Sequence, residues 1–473
     1  MIKLQKLWNI HMIDKTNTRT PLNRRTVLQG AVAGSAVLAT TGLVHANGQP
    51  LIGDEPASGD LAKTLYDALR ESIIGGIRQV PAIGGLLSFL GSRIIPDSNE
   101  TPEQMWRRLI SASISDALTR LVQRDLIGLS NVVNLYKTAI ETGNKSTILA
   151  QSIAANTQFN STVPGFQIKG EETGLLPLFA VAASLHLALM RDMVLKGSEI
   201  GLSEAHVARY AKETTELIKQ YSAHVDTFAP LAIENARRNN PNGQNGAPRN
   251  MPLTAMLNAK TDYQLRVLDL RDTWNNLDPT LFPGPSTIML NREIFTSIIG
   301  WWGRGHGYPG TIPAWKPPSS PLTNLEVWDK SQWRTRFIFG FEMTYLDGTT
   351  ISAGARNSTP HEVLVGSYID RVTAESSAGI YQMRFHNSNG HWTKVGIDRD
   401  GVTHIREFDT SFAGHRLSSI HPVGGGVGAA NGAVSGCVLG FQLIHPGAYV
   451  LPEIELRSIA AKMAPQLRDW IAK

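Results

Sequence analysis

The segment Gly174–Met190 limits the fold more than any other. It carries no charged residue, and its only polar side chains are Ser184 and His186. As a helix it rises about 1.5 Å per residue, so it is roughly 25 Å long, close to a bilayer hydrocarbon core of about 30 Å. A helix on the surface of a soluble bundle is polar on one side, whereas this one is apolar nearly all round. It must therefore be enclosed by other helices or by lipid. Two readings stay open on composition: the central helix of a large bundle, or a helix that is central in water and enters a membrane later.

The surrounding first half repeats its apolar residues every three or four positions. Trp106, Ile110, Ile114, Leu118, Leu121, Leu126, Leu129, Val133 and Tyr136 line one face of a long helix, entered through Thr101-Pro102-Glu103. A second long helix is expected over Ser203–Ala236 and a shorter one over Leu253–Trp274. Between them, residues 238–249 form an Asn/Gly/Pro-rich loop and a candidate protease-sensitive site.

Near Phe337 the period changes to two. Phe337, Phe339, Phe341, Met343 and Tyr345 alternate before Asp347-Gly348. Tyr381, Met383 and Phe385 alternate before Asn389-Gly390, and Cys437, Leu439, Phe441 and Leu443 before Pro446-Gly447. Three aromatic-bearing strands, each ending at a glycine turn, predict a three-fold sheet fold, a β-prism. Leu451–Ala472 reads as a terminal helix.

At the N-terminus, Arg24-Arg25 precede an apolar stretch, and Val44-His45-Ala46 offers small residues for cleavage after Ala46. This pattern reads as a twin-arginine export signal, placing the mature chain outside the cytoplasm, periplasmic or extracellular. Residues 1–46 hold six of the 45 basic residues and one of the 40 acidic ones, so the remainder is formally neutral. The basic pI therefore points to no nucleic-acid partner.

The sequence contains no HExxH, no GxSxG and no phosphate-binding glycine loop. Gly424–Gly428 is not followed by a helical pattern, so no dinucleotide site is expected. His386 with His391, and His415 with His421, are either metal pairs or ordinary histidines of β turns, the latter being far commoner. Cys437 alternates inward as a small hydrophobe rather than a nucleophile. His186 is either a satisfied core histidine or a pore-lining group. The expectation is no enzyme, no cofactor, no metal and no catalytic residue.

Several blocks together resemble a known family. Leu175–Asp192 closely resembles the central helix of the insecticidal crystal δ-endotoxins, which usually have Asn where Ser184 stands. Gly201-Leu202-Ser203 and Ile218–His224 resemble their next helix. Trp106 with Leu126–Tyr136 resembles their earlier helix pair. Val267–Leu270, Phe282-Pro283 and Leu290–Thr296 resemble the end of the last helix and the first strand beyond. The resemblance implies a bundle of about seven helices around a central apolar helix, followed by a β-prism. The implied boundaries are a signal over 1–46, a helical domain over 47–285, a receptor-binding prism over 286–450 and a terminal helix over 451–473. It also implies a pore-forming toxin in which a hairpin over about 145–193 inserts through Leu175, Leu176, Leu178, Phe179, Val181, Leu185, His186, Leu187, Leu189 and Met190. Its partners are a target-cell membrane, a glycan or protein receptor on the cell surface, and further copies of the chain on that membrane. The family's β-sandwich third domain has no room in this length.

The β half also resembles jacalin-like lectins, but Gly428–Gly436 lacks the aspartate those lectins use for sugar. Two loops stand out as recognition candidates: Trp301, Trp302, His306 and Tyr308 in one, Asn387, Asn389, His391 and Trp392 in the other. Both also suit plain interdomain packing. The alternative function is a secreted lectin-like binding protein without pore activity.

Overall fold

The computed structural model describes residues 116–241, 251–283, 288–300, 312–332, 335–356, 359–376, 379–397, 406–412, 414–423, 432–444 and 447–448. The expected signal, the helical stretch before residue 116, the loop of Trp301, Trp302, His306 and Tyr308, and the terminal helix lie outside them. So does most of the Asn-rich loop.

The first part is helical: α1 Asp116–Thr142, α2 Lys145–Thr162, α3 Glu172–Leu195, α4 Glu204–Asn239 and α5 Met251–Tyr263. Local chemistry sets the helix starts. The Asn144 side chain accepts from Thr147 N–H to cap α2, and Ser203 accepts from His206 N–H to cap α4. The helix expected over Leu253–Trp274 is interrupted. A π turn, Gln264–Leu268, follows α5, then one α turn and a 3-10 turn at Trp274–Leu277.

α3 is the axis of this bundle. Every residue from Gly174 to Met193 is buried, against side chains from α1, α2, α4 and the segment after α5.

The second part has fourteen described strands. β1 (Ile288–Met289), β2 (Glu293–Phe295) and β3 (Ile299–Gly300) come first. Then follow β4 (Leu322–Gln332), β5 (Thr335–Tyr345), β6 (Thr350–Gly354) and β7 (Thr359–Val363). β8 (Ile369–Ser376), β9 (Ile380–Asn387), β10 (Trp392–Gly396) and β11 (Arg406–Ser411) repeat that pattern, and β12 (His415–Val423), β13 (Gly436–Leu443) and β14 (Gly447–Ala448) close it. All pairings are antiparallel. The orders β6-β5-β4-β7 and β10-β9-β8-β11 are two Greek keys. The third sheet, β12-β13-β2 with β3 also on β13, borrows its outer strand from earlier in the chain.

One apolar core is enclosed by all three sheets. Phe341 and Met343 come from the first, Met383 and Phe385 from the second, Leu439 and Phe441 from the third. The expected prism is therefore present. Its three-fold character extends to the backbone. Gly354, Gly396 and Gly300 end the outer strands at φ +83°, +93° and +90°, packed against the carbonyls of Phe339, Tyr381 and Ser435. A Cβ at any of them would strike that carbonyl oxygen at 2.7 Å or less.

The expected strict alternation is corrected at one end. The register shifts at Trp328/Asp329 between β4 and β5, and at Glu375/Ser376 between β8 and β9. Each shift exchanges inside for outside. Ile338 and Ile380 therefore enter the central core, while Phe337, Phe339 and Tyr381 form a separate cluster with Ala433. In β13 the alternation holds from Cys437 to Phe441, but Leu443 joins the helical core.

Candidate functional site: a buried apolar helix and its polar pins

Pro177 stands inside the first turns of α3 and has no N–H for the Thr173 carbonyl four residues back. The Tyr263 hydroxyl, at the end of α5, donates to that carbonyl at 2.7 Å. Farther along, Ser184 Oγ donates to the Ala180 carbonyl at 2.7 Å and accepts from Trp274 Nε1–H at 2.8 Å.

His186 is fully buried and held at both ring nitrogens. Nε2 lies 2.8 Å from Asn156 Oδ1 on α2, and Nδ1 lies 2.8 Å from the Tyr221 hydroxyl on α4. Because the Asn156 oxygen only accepts, Nε2 carries the proton and Tyr221 donates to Nδ1. The ring stacks on Phe159 at 5.1 Å. Of the two readings of His186, this conformation displays the satisfied core histidine. Near the C-terminal end, Tyr136 on α1 hydrogen-bonds Asp192 Oδ2, while Asp192 Oδ1 has no partner among the described residues.

So four polar points along α3, the Thr173 carbonyl, Ser184, His186 and Asp192 Oδ2, are each met by a different element: α5, the 3-10 turn, α2 with α4, and α1. The expected insertion residues Leu175, Leu176, Leu178, Phe179, Val181, Leu185, His186, Leu187, Leu189 and Met190 are all on this helix, none more than 6 % exposed. Each large apolar side chain so buried is worth about 1.5–3 kcal/mol against water. Release of α3 into water is therefore prohibitive. The α2–α3 link buries Val163 and Phe166 in a 3-10 turn and then exposes Lys169.

A second constellation joins helices to prism. Asp269, after the π turn, receives two hydrogen bonds from Arg292, Nε to Oδ1 at 2.9 Å and Nη2 to Oδ2 at 2.5 Å. Arg292 Nη1 sits 2.8 Å from His415 Nε2 on β12. Because a guanidinium only donates, that nitrogen of His415 is unprotonated here. Thr261 also ties α5 to β2, exchanging hydrogen bonds with the backbone of Phe295.

Residues 72–264 match the family described as delta endotoxin, N-terminal domain. That stretch of the chain is similar to the delta endotoxin N-terminal domain. Among curated relatives, it is 28 % identical over 258 residues to the pesticidal crystal protein Cry1Ia of Bacillus thuringiensis subsp. kurstaki, which covers 52 % of this chain and 34 % of that one. It is 28 % identical over 429 residues to Cry8Ca of B. thuringiensis subsp. japonensis, covering 80 % of this chain and 35 % of that one. The chain thus spans about a third of the length of these relatives. Among solved structures, PirB superposes with a TM-score of 0.64 at 16 % identity, covering 82 % of this chain and 96 % of that one. The B. thuringiensis crystal protein Cry7Ca1 gives 0.61 at 19 % identity, covering 82 % and 76 %. These likenesses establish the fold: helical domain first, sheet domain second.

Outside the matched residues, the candidate recognition residues separate. Asn387 is buried and shapes the β9–β10 turn, its Oδ1 accepting from Asn389 N–H and His391 N–H. Asn389, His391 and Trp392 are exposed around it. His386 bonds Asp370, His415 meets Arg292, and His421 stacks on Trp315 at 4.2 Å. His415 is also buried, not in a surface turn as expected. Cys437 is fully buried, and burial pushes its thiol up to about 12. The sequence reading missed the pins Asn156, Tyr221, Tyr263 and Trp274. Of these, only Tyr263 had a signal, since a proline inside a helix leaves a carbonyl to be met from elsewhere.

Proposed function

We propose that this chain is an exported pore-forming toxin. Its prism recognises a target-cell surface, and the hairpin of α2 and α3 enters the membrane. The observation that carries this reading is α3, whose only polar side chains between Gly174 and Met190 are each satisfied by a neighbouring element. A helix spans lipid with its backbone groups paired internally, so it can exchange a protein shell for a lipid shell. α3 has 24 residues, long enough to cross a hydrocarbon core of about 30 Å. The pesticidal names of the relatives support the toxin reading.

The same reading takes in the twin-arginine signal over 1–46 with Arg24, Arg25 and cleavage after Ala46. It also takes in the domain limits at 285 and 450, a receptor-facing role for exposed Asn389, His391 and Trp392, and an oligomer on the membrane. No enzymatic step is proposed.

Dye release from liposomes, by protein starting at Asn47, tests the reading directly. We expect leakage that rises after brief proteolysis, or once the protein is bound to target membranes. Bound protein that leaves vesicles sealed would favour a lectin-like binding protein instead. Ala182 is fully buried, so a charge there would unfold the soluble bundle before membrane entry was tested. The exposed α2–α3 link is the better place for a probe.

A further inference from the structure

Two histidines of β12 border the joint between helices and prism. His415 begins the strand, in register with Leu443, whose side chain packs in the helical core. Its Nε2 accepts from Arg292 Nη1 at 2.8 Å. Asp269 engages the other two nitrogens of that guanidinium, so the fork is held pointing at the imidazole. All three residues are buried. A proton on His415 Nε2 would set donor against donor and cation against cation in a buried site.

Farther along β12, the His421 ring stacks on Trp315 at 4.2 Å and meets Phe295 at 5.9 Å. Phe295 and Trp315 pack with Leu253 and Leu257 of α5 in one apolar cluster, so this histidine also borders the helical part. Its Nε2 lies 2.8 Å from Ser419 Oγ, which donates to Glu293 Oε1 at 2.6 Å. A carboxylate only accepts, so His421 Nε2–H donates to Ser419. Burial lowers His421 from 6.5 to about 4.

The charged and titratable groups around the pair come from several elements. Arg292 faces His415, with Asp269 behind it and Arg416 next along the strand. Near His421 stand Glu293 on β2, reached through Ser419, and Lys260 on α5, its ammonium 5.1 Å from the centre of the Phe295 ring. Tyr345 of β5 closes the group, donating to the Ser418 carbonyl. Glu293 opposes the histidines. Burial pushes its carboxyl up, so the closed joint takes a proton there more readily than an open one.

An exposed histidine titrates near 6.5. Opening the joint below that pH therefore takes up a proton at each ring. Closure is fully supported above about pH 6.5 and weakens as pH falls, by up to about tenfold per unit for each histidine.

We propose that His415 and His421 make the joint an acid-sensitive latch, closed at neutral pH and opened by acidification, which parts the helices from the prism. The inference rests on the pore reading for its use and supplies a trigger: an open joint takes the prism away from α5, which ends in the Tyr263 pin of α3.

The test follows amide hydrogen exchange in the full chain at pH 7.5 and 5.5, corrected for the intrinsic pH dependence, beside dye release from vesicles at the same two values. Protection of α5 and of Phe295 N–H should fall about tenfold at pH 5.5, while β8 and β9 keep theirs. His415→Gln with His421→Gln, which leaves Arg292 an acceptor, should abolish most of that fall. Glu293→Gln removes the counterweight, so the fall should steepen toward about a hundredfold. An unchanged unfolding midpoint at pH 7.5 checks that the variants fold, and Glu293→Gln tests the sign even if the histidine variants do not. Protection independent of pH, equal loss in β8 and β9, or a fall untouched by the substitutions would overturn the latch. Leakage at a rate indifferent to pH would overturn its role as trigger and leave the pore reading standing. Acid opening without leakage at either pH would uphold the latch and count against the pore.

Discussion

Pro177 leaves the Thr173 carbonyl without its helical donor, and Tyr263 replaces that donor from 90 residues away. Removing the hydroxyl alone, with Tyr263→Phe, should cost about 1 kcal/mol, the net worth of one part-buried hydrogen bond. Adding Pro177→Ala restores a backbone N–H at the right position, so the double variant should recover most of that loss in urea unfolding. His421 allows a second test at the same scale. Burial lowers its pKa from 6.5 to about 4, so the unfolded chain binds its proton more readily. Its contribution is complete above pH 6.5 and is lost as pH falls toward about 4. His421→Gln should flatten the stability profile in that window; an unchanged difference between pH 7 and pH 4 would refute the assignment. Neither pair was visible in the sequence. His421 on β12 meets Trp315 from the irregular segment before β4, and Tyr263 finds its carbonyl only after α5 has docked.

At the scale of elements, what the sequence disclosed follows from which forces are local. Capping is local, and Ser203 marked its helix start correctly. Uncharged composition is local too, and it singled out α3. The register shifts in β4–β5 and β8–β9 belong to pairs of strands, so one strand's alternation could not disclose them. Phe337 and Phe339 were therefore assigned to the wrong face. The positive-φ glycines test the repeat. A Cβ on Gly396 would lie 2.0 Å from the Tyr381 carbonyl oxygen, whereas one on Gly390, also at positive φ, would meet nothing within 4 Å. Gly390→Ala should cost about 1 kcal/mol from backbone strain alone. Gly396→Ala should cost clearly more by thermal unfolding, because the outer strand must also move.

For the whole molecule, the joint between helices and prism is as specific as either core. Asp269 is fully buried, and Arg292 neutralises it from the other side of the joint. Arg292→Met leaves that carboxylate buried without its cation and should cost about 3–5 kcal/mol. If the two parts are coupled through this pair, their melting transitions in calorimetry should separate as well.

The central claim is that the α2–α3 hairpin leaves its shell for the bilayer. Cys437 is buried, so a Lys169→Cys variant offers one accessible thiol for a fluorophore among the described residues, in the link between the helices. The measurement is fluorescence of that probe on membrane-bound protein, with an aqueous quencher placed either outside the vesicles or sealed inside. The account predicts that binding to target membranes moves the probe out of reach of the external quencher, and within reach of the lumenal one if the hairpin crosses fully. A probe that stays open to the external quencher while the vesicles leak would contradict insertion by this hairpin.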